Sequence, residues 1–176
     1  MTRLGQAFRR AVVLAAVAAT CGPASAFASS APDDCKAWPT SSRELLLVLG
    51  QRAVEAAALV QAGERSDARL DAWIARDASF DLGAGDVGRQ MGKGAAGFRK
   101  LLEEIHSDHY RFDGWDFMNS KKAPCSASEV TVEFSSQKEG GRAEVTFRFV
   151  DGRIVQAKGW YRTMTAGEFP ITTLAR

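Results

Sequence analysis

The hydrophobic pattern of this chain changes period halfway along, and that change constrains the fold more than any other feature. Up to about residue 105 the apolar residues recur at helical spacing, apart from one brief strand-like run. From residue 109 onward they alternate, with a period of two. Val130, Val132 and Phe134 alternate with Glu129, Thr131 and Glu133, and Ala143, Val145, Phe147 and Phe149 alternate with Arg142, Glu144, Thr146 and Arg148. Glu139-Gly140-Gly141 and Asp151-Gly152 are hairpin turns between these runs. Helices first and long strands last define an α+β chain. Each strand has one apolar face, and the helices are the available cover for it.

The helical half divides at its turn residues. Thr40, Ser41 or Ser42 caps a helix running from Arg43 to about Ala62, with Glu44 in its first turn and Gly63 closing it. Ser66 or Asp67 starts a short second helix that puts Leu70, Trp73 and Ile74 on one face. Ala78 to Leu82 reads as a short strand. Residues 83–94 read as a glycine-rich loop, a mobile rim, and a third helix from Ala95 to Ile105 carries Phe98, Leu101, Leu102 and Ile105 in one stripe. Later, His109 to Met118 is a strand with a bulge at Gly114, and the last strand runs from Arg153 to about Thr165.

The first 26 residues read as an export signal. Arg3, Arg9 and Arg10 are followed by the uncharged run Ala11 to Thr20, which is too short to cross a bilayer. Cleavage is expected after Ala26, with Ala28 as the alternative. Cys21 leaves open a lipid anchor, and Arg9-Arg10 a twin-arginine route. The protein is therefore expected to be periplasmic or secreted, with no membrane span. Residues 27–42 form an extended segment, 43–165 the folded domain and 166–176 a tail. The chain has 23 basic and 21 acidic residues. The leader holds three of the basic ones and no acid, so the remainder is slightly acidic, and nucleic acid is not an expected partner.

Once the leader is removed, Cys35 and Cys125 are the cysteines that remain. In an oxidising compartment the simplest outcome is one disulfide, and two unpaired thiols are the alternative. The spacing of these cysteines and of His106 and His109 fits no zinc site. Gly88 to Gly94 falls one residue short of a phosphate-binding loop and has Gly94 where Ser or Thr would be needed. No metal or cofactor is implied.

Several short runs carry a resemblance. They are Gln61-Ala62-Gly63-Glu64, Leu70-x-x-Trp73, Asp77 to Asp81, Gly94-x-x-Gly97-Phe98 and the terminal run Phe147 to Val155. Together, over residues 43–165, the chain resembles the nuclear transport factor 2-like superfamily, with its ketosteroid-isomerase-like and polyketide-cyclase-like members. The resemblance implies N-terminal helices packed on a strongly curved antiparallel sheet, a cystatin-like cone with an apolar cavity. Members include enzymes, ligand binders and interaction modules, so the resemblance does not choose a function.

The isomerase pattern has a Tyr on the first helix and an Asp after the second. Those positions fall here at Ala56 and Leu82, so that chemistry is disfavoured. Asp81, beside the expected base position, is the best acid, with Asp77 and Asp113 as further carboxylates. His106 and His109 offer proton carriers, and Tyr161 a polar handle. The candidate catalytic set is thus Asp81, His106 and Tyr161. The candidate cavity lining is Trp73, Phe80, Phe98, Tyr110, Phe112, Trp115, Phe147, Ala157, Gly159 and Tyr161. On the last strand, Val155, Ala157, Gly159 and Tyr161 share a face, and the small pair in its middle would leave space for a ligand. Ile154 and Trp160 lie on the other face, where an exposed Trp160 suits a homodimer contact. A small apolar or amphipathic molecule is the expected partner. An enzyme or an interaction module is the alternative.

Overall fold

Ser41 starts the longest helix. Its hydroxyl accepts from the Glu44 N–H at 3.5 Å, and α1 runs Ser42–Gln61. Leu45, Leu49, Ala53 and Ala56 form its buried stripe. The computed structural model describes residues 34–63, 68–84, 87–113, 120–136, 141–163 and 172–173. Residues 1–33 with Cys21, Trp115, and all of the tail but Thr172 and Thr173 lie outside the described residues. Among the described residues no helix is long and apolar enough to cross a membrane.

The short helix α2 spans Ala68–Trp73, and β1 follows at once as Ile74–Ala84. Ile74 therefore opens a strand instead of completing the face of α2. The glycine-rich stretch is not a loop. It forms β2, Val87–Lys93, which pairs antiparallel with β1. Helix α3 is Gly94–Ile105 and ends on His106 in the left-handed region, φ 49°. Four further strands follow: β3 His109–Asp113, β4 Ser128–Ser136, β5 Gly141–Val150 and β6 Arg153–Thr163. A two-residue β7, Thr172–Thr173, pairs with β3.

The sheet order is β2-β1-β6-β5-β4-β3-β7. The expected all-antiparallel sheet needs one correction, because β1 and β6 run parallel. The chain between them contains β2, α3 and three strands, ample length for a parallel crossover. Register breaks between Ile74 and Ser79, Phe80 and Asp81, and Arg148 and Phe149 bend the strands. The helices lie on the inner face: α1 packs on β4, and α3 on β1 and β2. The α+β cone is the architecture observed.

One end of the cone is plugged by the segment before α1. Cys35, in a 3-10 turn Cys35–Ala37, is disulfide-bonded to Cys125, with Cα atoms 5.3 Å apart. The buried guanidinium of Arg52 lies between the rings of Trp38 and Trp73, 4.6 and 5.1 Å from their centroids. Its Nη1 donates to the Gly152 carbonyl at 3.1 Å. Gly152 has φ +73°, and a Cβ there would come within 2.8 Å of the Trp38 ring, so both turn and plug require glycine. Ser42 N–H donates to Ser120 O at 2.8 Å, and Lys122 N–H to Thr40 O at 2.7 Å. The plug is thereby stitched to the chain that leads to Cys125.

The bond closes a loop of sequence separation 90. We predict that replacing both cysteines with serine lowers the unfolding free energy by about 2–5 kcal/mol in chemical denaturation. A loss under about 1 kcal/mol would mean that the stacked Arg52 holds the plug without the bond.

Candidate functional site

The alternation of β1 decides what faces the inside of the cone. Ala78, Phe80 and Leu82 are buried inward, while Ser79 and Asp81 take the opposite face. On β6, Ala157, Gly159 and Tyr161 face inward beside Phe80, Leu82 and Ala84. The register break at the start of β6 reverses the phase, so Ile154 is buried with the core and does not share a face with Trp160. The space over Gly159 is filled. A Cβ there would lie 2.9 Å from Leu82 Cδ1 and 3.4 Å from Val145 Cγ2. The leucine at the expected base position thus occupies the room that a small residue on the neighbouring strand provides.

The predicted lining residues divide into groups. Phe80, Phe98 and Phe147 are fully buried and touch one another, with centroids 5.5 Å apart for the first pair and 6.3 Å for the second. Phe134 joins Phe147 at 6.2 Å. These rings and Ala157 form the centre of the core. Tyr110 and Phe112 meet edge to face at 5.6 Å on β3, and Phe112 packs against Gly50 of α1. Trp73 belongs to the plugged end with Arg52. Trp115 lies outside the described residues.

The three catalytic candidates do not converge. Asp81 is on the outer face, in register with Lys158. Tyr161 is on the inner face, with its hydroxyl against Gly141. His106 caps α3 and borders a cleft of about 430 Å³ with Val60, Gln61, Leu102, Glu103 and Ser107. His109 is separate again: its Nδ1 lies 2.6 Å from Asp108 Oδ1. The one triplet of metal-type side chains among the described residues is Cys35, Cys125 and Asp151, and its two sulfurs are already bonded to each other.

A second cleft, of about 420 Å³, flanks the other side of the last turn of α3, at the end of the cone away from the plug. Leu82, Ala84 and Val87 supply its apolar surface, Gly83 and Tyr161 border it, and Arg89 and Glu104 close its rim. Its construction follows from register. Arg89 pairs with Leu82 and Val87 with Ala84, so all four side chains share one face of the β1–β2 hairpin. Glu104 reaches from α3 to form an ion pair with Arg89, Oε1 to Nη2. Sequence reasoning missed Ala84, Val87, Arg89 and Glu104. The two-residue spacing Val87–Arg89–Met91 was the available signal, obscured by interleaved glycines.

Comparison with known proteins adds a likeness of fold. No protein-family model matches the chain, and no curated protein sequence matches it. Solved structures do. One is a protein of unknown function with a cystatin-like fold from Methylobium petroleophilum PM1, 14% identical, TM-score 0.44, covering 77% of this chain and 87% of that one. Another is a proposed ketosteroid isomerase from Kribbella flavida DSM 17836, 16% identical, TM-score 0.44, covering 76% and 87%. A third is a nuclear transport factor 2-like protein of unknown function from Mesorhizobium loti, 18% identical, TM-score 0.43, covering 70% and 96%. The chain is similar to cystatin-like and nuclear transport factor 2-like proteins, and at these values the likeness carries no statement about activity.

Tyr110 is the site candidate with a resolved electrostatic signature. Burial raises its phenol above the ordinary value near 10, and the Glu55 carboxylate adds to the rise. The folded state therefore favours the neutral phenol. Its contribution is complete below the unfolded pKa and is lost as pH climbs through the folded one. We predict that wild type loses more stability than Tyr110→Phe between about pH 9 and pH 11 in urea titrations. Parallel curves would show that Tyr110 does not couple to folding.

Proposed function

We propose that the protein is exported and binds a small amphipathic molecule at the cleft between the β1–β2 hairpin and α3. The observation that carries this reading is the cleft's composition. Leu82, Ala84 and Val87 form an apolar surface with a charge pair at its rim. Val87 is 71% exposed, a cost in water that a bound apolar group would relieve. The volume lies within the range of about 300–1,000 Å³ usual for small-molecule sites. Binding is preferred to catalysis because Asp81, His106 and Tyr161 face different parts of the molecule. The leader pattern, the Cys35–Cys125 bond and the absence, among the described residues, of a membrane-length helix support export to the periplasm or beyond.

The test uses 1-anilinonaphthalene-8-sulfonate, an apolar ring system with one anion. Calorimetric titration should give one saturable site in wild type and at least about tenfold weaker binding in Ala84→Trp, which fills the cleft from its exposed edge. Equal binding by both proteins, each with an unchanged melting temperature, would place the site elsewhere.

A second reading is favoured by Trp160, which is 47% exposed on the outer sheet face and lies over Gly83. We propose that a second copy of the chain covers it. Glu144 is the cross-strand neighbour of Trp160, and Lys158 is in register with Asp81. Two acids and one base thus stand on the same sheet face as the ring, and a two-fold axis can bring Lys158 of one copy to an acid of the other. Light scattering should report a dimer for wild type and a monomer for Trp160→Glu. A wild-type monomer at about 100 μM would remove this interface.

A further inference from the structure

We infer that the molecule bound at the α3 cleft is a monoanion with an apolar body, a carboxylate amphiphile being the simplest case. Arg89 recognises its anionic group, and Glu104 is a built-in competitor that the ligand displaces. This inference rests on the binding reading above and goes beyond it by assigning the ligand's charge and the two residues that select it.

Because Arg89 sits opposite Leu82, its guanidinium stem rises from the apolar surface itself and not from a distant loop. Its long methylene stem can lie along Val87 and Ala84 while the charged head stays at the rim. Glu104 is the carboxylate that meets it, from the exposed edge of α3, whose buried face is Phe98, Leu101, Leu102 and Ile105. The cleft is therefore bordered by one cation already holding a carboxylate, which is the contact a carboxylate ligand would make.

The exchange is feasible because this pair is exposed. The side chains of Arg89 and Glu104 are 58% and 45% exposed, so neither has been stripped of water. An ion pair of this kind adds little to stability, and Glu104 returns to water without becoming a buried, uncompensated charge. One guanidinium nitrogen meets one carboxylate oxygen, whereas a planar guanidinium can grip an incoming carboxylate through two parallel bonds. The incoming molecule also covers Val87, which is 71% exposed with the Arg89–Glu104 pair in place. Arg52, the buried arginine at the plugged end, has none of this freedom. It is enclosed between Trp38 and Trp73 and bonded to Gly152.

A merely structural pair and a competitor pair predict different signs. If the pair only braces α3 against the hairpin, removing either partner loosens the cleft and weakens every ligand. If Glu104 competes with the ligand, removing it strengthens anion binding while removing Arg89 weakens it.

The experiment titrates the purified full chain with decanoate and with 1-decanol, both below their aggregation limits, by calorimetry. Wild type should favour decanoate by about tenfold or more. Arg89→Gln should reduce decanoate affinity by about tenfold or more and decanol affinity by a much smaller factor. Glu104→Gln should raise decanoate affinity several-fold and leave decanol unchanged. Equal affinity for acid and alcohol in wild type, or parallel losses in both variants, overturns this inference but leaves the binding reading standing. Failure of wild type to bind either probe overturns both. Equal melting temperatures for the three proteins exclude a folding defect as the cause.

Discussion

The parallel pairing of β1 with β6 is the constraint on which the rest of the molecule depends. It joins the helical half of the chain to the strand meander and leaves β2 as the sheet's outer edge on that side. It sets the inward series Phe80, Leu82 and Ala84 against Ala157, Gly159 and Tyr161. A slip of one residue would turn Asp81 and Lys158 inward and Phe80 outward, placing charges in the middle of an aromatic cluster. The four rings that meet there fix the register more firmly than any polar contact could. The conformation of the cleft is a by-product of this choice, since its floor is the continuation of the same inward series past the end of the core.

The two ends of β6 consequently differ in character. Near Ile154 the cone is shut by a disulfide, two tryptophans and an arginine between them. Near Tyr161 the hairpin and α3 border a cleft. At the first end, removing Arg52 from between its rings would forfeit both a charge-assisted hydrogen bond and two cation–π contacts. Functional variation is cheaper at the second end. Exposed residues there can change charge or size without disturbing the aromatic centre.

How far the sequence revealed this arrangement depended on what each residue encodes locally. The capping serine, the α1 and α3 stripes, the β4–β5–β6 alternation and the Asp151-Gly152 turn are local signals, and each element lies within a few residues of its expected place. The disulfide was legible from the cysteine count together with the expected export signal. The parallel partner of β1 was not, because pairing between residues some 80 apart leaves no local mark. β2 was hidden for a different reason: glycines at 88 and 92 weaken any propensity signal, and the strand is held by its hairpin partner instead. The reversal at Ile154 came from a bulge, which shifts phase without altering composition. The cleft residues were missed because a site built from β2 cannot be seen while β2 is read as a loop.

The leucine at the position of the expected acid connects these points to function. A carboxylate at Leu82 would sit against Gly159 and Val145, largely out of water, and would be held protonated unless a cation reached it. In this chain the residue in register with Leu82 across the hairpin is the cation Arg89, and it is matched instead by Glu104 at the surface. The apolar group occupies the interior position and both charges stand at the rim. The floor of the cleft, Leu82, Ala84 and Val87, offers a ligand shape and hydrophobic contact, while the rim offers charge. That division suits recognition of a molecule with two unlike ends better than proton transfer, for which the base must lie within hydrogen-bond reach of the reacting atom.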